Sequence, residues 1–206
     1  MKPICYIVGA GDFNGLPHPP RPEDLLIAAD AGYAALLRFH LEPNLIIGDF
    51  DSMERPEGGN VLALNPIKDD TDLAAAVREG LNRGYTCFHI YGGLGGKRLS
   101  HTLANLQLLA WLSQRGAEGF LFGEGITVTA ITNGSHCFQK EATGYLSVFA
   151  HNDICSGVTE TGLKYPLDEA TLANAVPLGI SNEFIGEESC VSVREGTLIL
   201  VWETRC

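Results

Sequence analysis

The pattern of apolar residues changes once along this chain, near residue 120. Before that point, short apolar runs such as ICYIVG and LLIAA alternate with segments of helical period such as LAAAVREGL. After it, runs such as ITVTAIT and YLSVFA follow one another with only turn residues between them. Strands that alternate with helices are typical of a mostly parallel sheet, and strands alone of a sandwich. We therefore predict an α/β domain over residues 1–130 and an all-β sandwich over residues 131–206.

The first part is predicted to contain several short buried strands and three helices. The strands are expected over residues 4–9, 25–29, 45–48, 61–64, 87–91 and 119–122. The helices are expected after Gly32, after Asp72 and from about Ser100. Gly9 and Gly11 resemble a dinucleotide-binding turn, but four prolines follow and no helix begins there, so we exclude NAD.

Composition limits the kinds of partner. The 206 residues are 45% hydrophobic and 19% charged, which is ordinary for a globular protein. No apolar run approaches the roughly 18 residues that cross a membrane, and the amino terminus does not resemble a signal peptide, so we expect a cytoplasmic protein. The net charge of −11 argues against nucleic acid but permits a single nucleotide. Six cysteines lie scattered without a C-x-x-C pair, which predicts free buried thiols rather than a zinc or redox site.

An acidic stretch follows one of the buried strands. Residues 45–52 read LIIGDFDS, so Asp49 and Asp51 come directly after the strand and its closing Gly48. The carboxyl ends of such strands are where open α/β sheets bind ligands, and paired carboxylates suit Mg²⁺ with a bound phosphate. An isolated GDFDS fits an Asp-rich turn that caps backbone amides equally well.

Four further acidic residues, at two places in the chain, favour the ligand site over the turn. Asp30 also follows a predicted strand, and Asp69, Asp70 and Asp72 surround Thr71 before a helix. Capping that helix explains one or two of these side chains, because a cap needs only Asp or Thr. We therefore expect Asp72 to face the same crevice as the LIIGDFDS acids.

A glycine-rich loop with two cations precedes the third helix. The segment GGLGGKRLSHTLAN begins at Gly92, and its glycines allow backbone amides to approach a ligand closely. Lys97, Arg98 and the start of a helix together predict a phosphate site, although the spacing is not that of a Walker A loop. His101 and Asn105 share one helix face; structural hydrogen bonds would explain that pair too.

Six collinear motifs resemble the thiamine pyrophosphokinase family. They are IAADAG (27–32), LIIGDFDS (45–52), KDDTDLAAAV (68–77), GGLGGKRLSHTLAN (92–105), GLKYPL (162–167) and GISNEF (179–184). The resemblance implies an α/β fold with an N-terminal Rossmann-like, mostly parallel sheet that binds the nucleotide, followed by a C-terminal β-sandwich that binds thiamine. It implies transfer of pyrophosphate from ATP to thiamine, giving thiamine diphosphate and AMP, in a homodimer whose active site lies between subunits.

The resemblance also assigns residues. The implied Mg²⁺ ligands are Asp49, Asp51 and Asp72, which with Arg98 form the implied catalytic group. The residues implied around ATP are Asp30, Lys97, Arg98, His101 and Asn105. Those implied around thiamine are Lys164, Tyr165, Ser181 and Asn182, with the Tyr165 ring as a platform.

One departure and three alternatives accompany this interpretation. Ser100 stands where the family has an aspartate, so a role for an acid there is in doubt, and no general base is identified. Another hydroxymethyl heterocycle, such as a pterin, could be the acceptor, although GLKYPL and SNEF favour thiamine. A nucleotide sensor without catalysis would not need three carboxylates. Taken alone, Tyr165 is more commonly a packed aromatic residue of a β-domain.

Overall fold

The structure is a computed structural model that describes residues 2–50, 60–63, 71–95 and 98–204. Its chain divides into two compact units, Met1–Asn105 with Leu121–Glu124, and Leu106–Phe120 with Gly125–Cys206. Within the described residues no helix has the length and apolar character that a membrane span requires.

The first unit is a parallel sheet with helices. Its elements are β1 (Cys5–Val8), β2 (Leu25–Ala29), α1 (Gly32–Arg38), β3 (Leu45–Gly48), β4 (Val61–Ala63), α2 (Asp72–Asn82) and β5 (Cys87–Tyr91). The strands pair in parallel in the order β5-β1-β2-β3-β4. Every residue of β1, β2 and β3 is buried, as continuous apolar runs in a parallel sheet require.

Because these strands are parallel, their carboxyl ends meet at one edge of the sheet. The Gly9 amide donates to the Tyr91 carbonyl at 2.8 Å, and the Asp30 amide donates to the Ile47 carbonyl at 2.8 Å. A Cβ at Gly32 would lie 1.9 Å from the Val8 carbonyl oxygen, so only glycine lets α1 begin against this edge. The residues after the strands are thereby drawn close together.

The second unit is built mainly from antiparallel strands. These are β7 (Ile126–Thr132), β8 (Ser135–Phe138), β9 (Tyr145–Ala150), β10 (Ile154–Thr161), β11 (Leu167–Ala173), β12 (Gly179–Glu183), β13 (Ser189–Glu195) and β14 (Thr197–Glu203). Before them, α3 (Leu99–Ser113) and β6 (Glu118–Gly123) contribute residues to both units. One set of strands has the order β12-β9-β14-β7, and the other β11-β10-β13-β8.

Buried residues from both sets of antiparallel strands form one hydrophobic core. Leu146, Val148 and Leu198 come from the first set, whereas Val158 and Val191 come from the second. The prediction of an α/β part followed by an all-β part is thus confirmed at this level. The predicted boundary between residues 130 and 131 stays a prediction.

The expectation of free cysteines throughout was wrong for one pair. Cys137 of β8 and Cys190 of β13 face each other in the strand register, with Cα atoms 4.0 Å apart, and form a disulfide. Strand register decides this pairing, and the scattered sequence positions do not reveal it. Cys5 and Cys155 are buried thiols, as expected, while Cys206 lies outside the described residues.

Candidate active site

A cavity of about 690 Å³ opens in the first unit, at the edge where the parallel strands end. This volume is typical of small-molecule sites. The predicted site residues that line the cavity are Asp30, Asp49, Asp72, Arg98, His101 and Asn105. Two predicted residues, Asp51 and Lys97, lie outside the described residues. The structure therefore gathers the acidic and basic positions that are far apart in sequence.

Three carboxylates form one side of the cavity, which we call the acidic edge: Asp30, Asp49 and Asp72. Asp30 follows β2 and Asp49 follows β3. The two strand ends approach closely, since a Cβ at Gly48 would lie 3.3 Å from the Asp30 Cα atom. Asp30 has a φ of 49° and Phe50 a φ of 56°. Left-handed backbone is uncommon for a bulky residue such as Phe50, and such positions cluster at functional sites.

The third carboxylate is placed by a capped helix. The Thr71 hydroxyl accepts a hydrogen bond from the Ala74 amide at 3.1 Å, so Thr71 is the cap of α2, one of the two residue types predicted for it. Asp72 is the first residue of α2 and lines the cavity. Capping therefore does not account for Asp72. Thr71 also lines the cavity, which the sequence analysis did not predict.

The glycine-rich turn, here Gly92, Gly93 and Gly95, lines the same cavity. Packing also requires glycine at 92 and leaves little room for a side chain at 93, neither of which the sequence predicts. A Cβ at Gly92 would lie 2.6 Å from the Gly9 carbonyl oxygen, and one at Gly93 would lie 2.8 Å from the Leu121 side chain. At Gly95 the surroundings are open, and its φ of 71° favours glycine. These glycines thus serve two purposes: they allow close packing against neighbouring residues, and they allow a ligand to approach the backbone closely.

Helix α3 begins beside this turn and presents polar residues to the cavity. Arg98 precedes the helix, and His101 and Asn105 follow on the face expected from their spacing. The buried Asn105 side chain donates from Nδ2 to the Gly93 carbonyl at 2.7 Å. Asn105 therefore has the structural hydrogen bond that was weighed as an alternative, and it lines the cavity as well.

Magnesium requires a set of oxygen ligands, which the described residues supply only in part. Asp49 and Asp72 offer hard carboxylate oxygens to one cavity, and these donors fit Mg²⁺. Among the described residues no three acidic, histidine or cysteine side chains form a metal cluster. The predicted set includes Asp51, outside those residues, so the metal site stays a prediction.

In the second unit, the GLKYPL and GISNEF segments lie side by side. Leu163 and Phe184 form an isolated antiparallel bridge. The Lys164 amide donates to the Glu183 carbonyl at 3.0 Å, and Lys164 Nζ lies 2.6 Å from Glu183 Oε1. The ion pair with Glu183 raises the pKa of Lys164. Two motifs separated by 11 residues in the sequence thus form one local structure.

The Tyr165 ring is not packed as the commoner alternative predicts, because the residue is 58% exposed. Its backbone is held by the Asn182 side chain, whose Oδ1 accepts from the Tyr165 amide and whose Nδ2 donates to the Tyr165 carbonyl. Ser181 is exposed, has a φ of 58°, and donates from its amide to Ser147 Oγ at 3.0 Å. The exposed Tyr165 ring offers a flat surface for stacking, and Lys164 Nζ lies 5.3 Å from its centroid.

A buried carboxyl lies beneath this pair of segments, and sequence reasoning missed it. Glu160 is 1% exposed and accepts a hydrogen bond from Asn182 Nδ2 at 2.8 Å. Burial raises the pKa of Glu160, although the Asn182 hydrogen bond opposes the change. The available signal was an acidic residue at an inward position of β10, two residues after the buried Val158.

Comparison with known proteins gives the family. The model of the thiamin pyrophosphokinase catalytic domain matches residues 21–121. The model of the thiamin pyrophosphokinase vitamin B1 binding domain matches residues 135–198. A thiamine pyrophosphokinase of Bacillus subtilis (strain 168) is 30% identical over 215 residues, covering 99% of this chain and 100% of the relative. The chain belongs to the thiamine pyrophosphokinase family.

Solved structures of the family agree with this assignment. The crystal structure of thiamine pyrophosphokinase from Bacillus subtilis has a TM-score of 0.86 and 27% identity, covering 98% of this chain and 100% of that chain. The structure from Geobacillus thermodenitrificans has a TM-score of 0.84 and 26% identity, with 98% of each chain covered. The predicted family and its kinase activity are confirmed, and neither the pterin nor the sensor alternative is favoured.

Proposed function

We propose that this thiamine pyrophosphokinase binds ATP in the 690 Å³ cavity and transfers its terminal pyrophosphoryl group to the hydroxyl of thiamine. The observation that carries the proposal is one cavity lined by the acidic edge, the glycine-rich turn and Arg98. A polyphosphate needs cations and amide donors around its oxygens, and carboxylates where a metal is held. The lining of the cavity includes three carboxylates, the Arg98 cation and the backbone of the glycine-rich turn.

Asp49 and Asp72, together with Asp51 from the sequence motif, are the residues that we propose to hold Mg²⁺. A bound ion would neutralise phosphate charge and fix the orientation of ATP. The proposed role of these carboxylates is therefore to bind the ion, because without it their negative charge would repel the triphosphate.

The reaction requires one new bond and one broken bond at the β-phosphorus. The thiamine oxygen bonds to this phosphorus, and the bridge between the α- and β-phosphates breaks, so that AMP leaves. We propose that Arg98 and Lys97 stabilise the charge on the transferring oxygens, as cations do in other phosphoryl transfers. Asp30, His101 and Asn105 complete the proposed ATP site.

The thiamine hydroxyl loses its proton when its oxygen bonds to phosphorus. We propose that a carboxylate of the acidic edge accepts this proton.

We propose that thiamine binds to the GLKYPL and GISNEF segments. The match of the vitamin B1 binding domain to residues 135–198 supports this, as does the exposed Tyr165 ring. Thiamine carries a positive thiazolium and a flat pyrimidine, which an aromatic face attracts with roughly 0.5 to 2 kcal/mol. Lys164 and Ser181 are the polar residues proposed to contact it, and Asn182 is proposed to hold the Tyr165 backbone beside it.

We further propose a homodimer in which each active site combines residues of two subunits. The exposed apolar side chains around β12 in the second unit support an association surface, namely Val176, Leu178, Ile180 and Ile185. We also propose a domain boundary near residue 130, and the gap between the two matched ranges, 21–121 and 135–198, supports it. We place the enzyme in the cytoplasm, where ATP is available.

The proposed reaction is tested by its products. The protein is incubated with Mg²⁺, ATP and thiamine, and the nucleotide product is identified by chromatography. We expect AMP in amounts equal to thiamine diphosphate, and no AMP when a hydroxymethylpterin replaces thiamine. Turnover with the pterin but not with thiamine would support the other acceptor class, and ADP as the product would contradict pyrophosphoryl transfer.

A further inference from the structure

The Asn182 side chain has no hydrogen-bonding capacity left for a ligand. Its Nδ2 group donates to Glu160 Oε2 at 2.8 Å and to the Tyr165 carbonyl at 2.7 Å. Its Oδ1 atom accepts from the Tyr165 amide and from the Glu183 amide, each at 2.9 Å. A primary amide offers two donors and two acceptor sites, so all four are used. Asn182 is also only 4% exposed.

These bonds fix which way the Asn182 amide points. A flipped amide would turn Nδ2 toward the amide donors of Tyr165 and Glu183, and Oδ1 toward two acceptors. Of the four atoms bonded to the Asn182 amide, three belong to the backbone of Tyr165 and Glu183, and only the Glu160 oxygen belongs to a side chain. Without its oxygen, one Nδ2 hydrogen would be buried with no acceptor, which is costly in a protein interior.

Glu160 is suited to this task because its carboxyl is buried against Asn182. Burial raises the pKa of that carboxyl. Its Oε2 atom accepts the hydrogen bond from Asn182 Nδ2. Within the described residues, Glu160 Oε1 has no hydrogen-bond partner, and neither has the buried Ser189 hydroxyl. Glu160 lies opposite Val191 in the register of β10 and β13, and Ser189 comes two residues before Val191.

We infer that Glu160 is a positioning residue for the thiamine-binding segments: its buried carboxyl orients Asn182, and Asn182 holds the backbone from which the exposed Tyr165 ring projects. This inference rests on the proposed function of Tyr165. It assigns Asn182 to holding the site together rather than to contacting thiamine. Glu160 belongs to the second unit, whereas the acidic edge and the glycine-rich turn belong to the first.

The first test compares two substitutions of Glu160 in the full-length protein. Glu160→Leu removes the acceptor, and we expect the KM for thiamine to rise about tenfold while the KM for ATP stays unchanged. Glu160→Gln keeps an acceptor oxygen, and we expect a thiamine KM within about threefold of wild type. Glu195→Leu, which removes an exposed acid of β13, is the control and should change neither constant.

A swapped pair tests the contact itself and serves if Glu160→Leu does not fold. Asn182→Asp removes both Nδ2 donors and should raise the KM for thiamine. Adding Glu160→Gln returns a donor to this contact, so the double variant should recover part of the loss. A wild-type thiamine KM in both Glu160→Leu and Asn182→Asp would overturn the inference, as would an equal rise in the KM for ATP.

Amide hydrogen exchange separates this inference from the proposed function. The Tyr165 amide donates to Asn182 Oδ1, so its exchange should be faster in Glu160→Leu than in wild type, and unchanged in Glu195→Leu. This result does not depend on turnover. If wild type makes no AMP with thiamine, the proposed function fails, and unchanged Tyr165 exchange in Glu160→Leu is what overturns the role of Glu160.

Discussion

Asp49 follows β3 directly and lines the cavity. In the proposed metal site, its negative carboxylate binds Mg²⁺. We expect Asp49→Asn to lower kcat by about a hundredfold or more, because a neutral amide is a poor replacement for a metal-binding carboxylate. The fold should persist, since the amide has the same shape. Turnover at saturating Mg²⁺ and circular dichroism measure the two effects.

The control for this substitution is Asp168→Asn, which neutralises an exposed acid of β11 in the second unit. It should leave turnover unchanged. Near-normal turnover of Asp49→Asn at saturating Mg²⁺ would exclude Asp49 from the metal site.

Arg98 lines the cavity beside the start of α3. We expect it to bind the transferring oxygens more strongly in the transition state than in bound ATP. Arg98→Ala should therefore lower kcat and kcat/KM together, by about a hundredfold. Steady-state kinetics with ATP varied at saturating thiamine measure both constants.

The exposed Arg194 of β13 provides a matched control, because Arg194→Ala removes a cation outside the cavity and should leave both constants unchanged. If Arg98→Ala raises only the KM for ATP, Arg98 binds the nucleotide without a catalytic role.

At the scale of elements, Asp24 holds the amino ends of β1 and β2 together. Its side chain has 0% exposure, and its Oδ1 atom accepts from the Ile4 amide at 2.8 Å. Burial raises the pKa of Asp24, but the Arg21 side chain and the backbone amides of Ile4 and Arg21 outweigh it, and the net pKa is lowered. Because its folded-state pKa is lowered, Asp24 stabilises the fold at pH values above the ordinary carboxyl pKa of 3.8. This stabilisation is lost as the pH falls through the folded-state pKa.

We therefore expect Asp24→Asn to destabilise the protein by about 1 to 3 kcal/mol at pH 7, and by less at pH 3. Urea unfolding at both pH values measures the difference. Asp153→Asn, on the exposed turn before β10, is the control. An Asp24→Asn effect that is equal at the two pH values would contradict the role given to the charge.

Local sequence patterns predicted the elements of the first unit and much of the site. Apolar runs located β1 to β3, Thr71 was one of the two residue types predicted as the cap of α2, and residues after parallel strands must share one edge. The placement of Asp30, Asp49 and Asp72 around one cavity follows from these local rules.

Three features that sequence did not predict depend on register between distant segments. The bond between Cys137 and Cys190 requires β8 and β13 to be neighbours in one register. The Asn182 contacts require GLKYPL to lie beside GISNEF, and the inward side chain of Glu160 gains meaning only there. Periodicity reports which face a residue occupies, but it does not report which residue lies opposite.

At the scale of the whole molecule, the acidic edge and the Tyr165 segment belong to different compact units. We propose that the Tyr165 of one subunit serves the acidic edge of the other, so two differently impaired subunits should complement each other. Tyr165→Ala and Asp49→Asn proteins are mixed under conditions of verified subunit exchange. Mixed dimers should contain one intact site and regain up to half of the activity per dimer.

Two controls define the result. Each impaired protein mixed with itself should regain nothing, and Tyr165→Ala alone should raise the KM for thiamine but not for ATP. No recovery despite verified exchange would rule out a site shared between subunits.

In the proposed reaction, both terminal phosphates of ATP move as one group to thiamine. This is tested by following the fate of ATP labelled with ³²P at the α, β or γ position, in the presence of Mg²⁺ and thiamine. We expect the β and γ labels both to appear in thiamine diphosphate and the α label to stay in AMP. A thiamine product that carries the γ label without the β label, with ADP released, would contradict it.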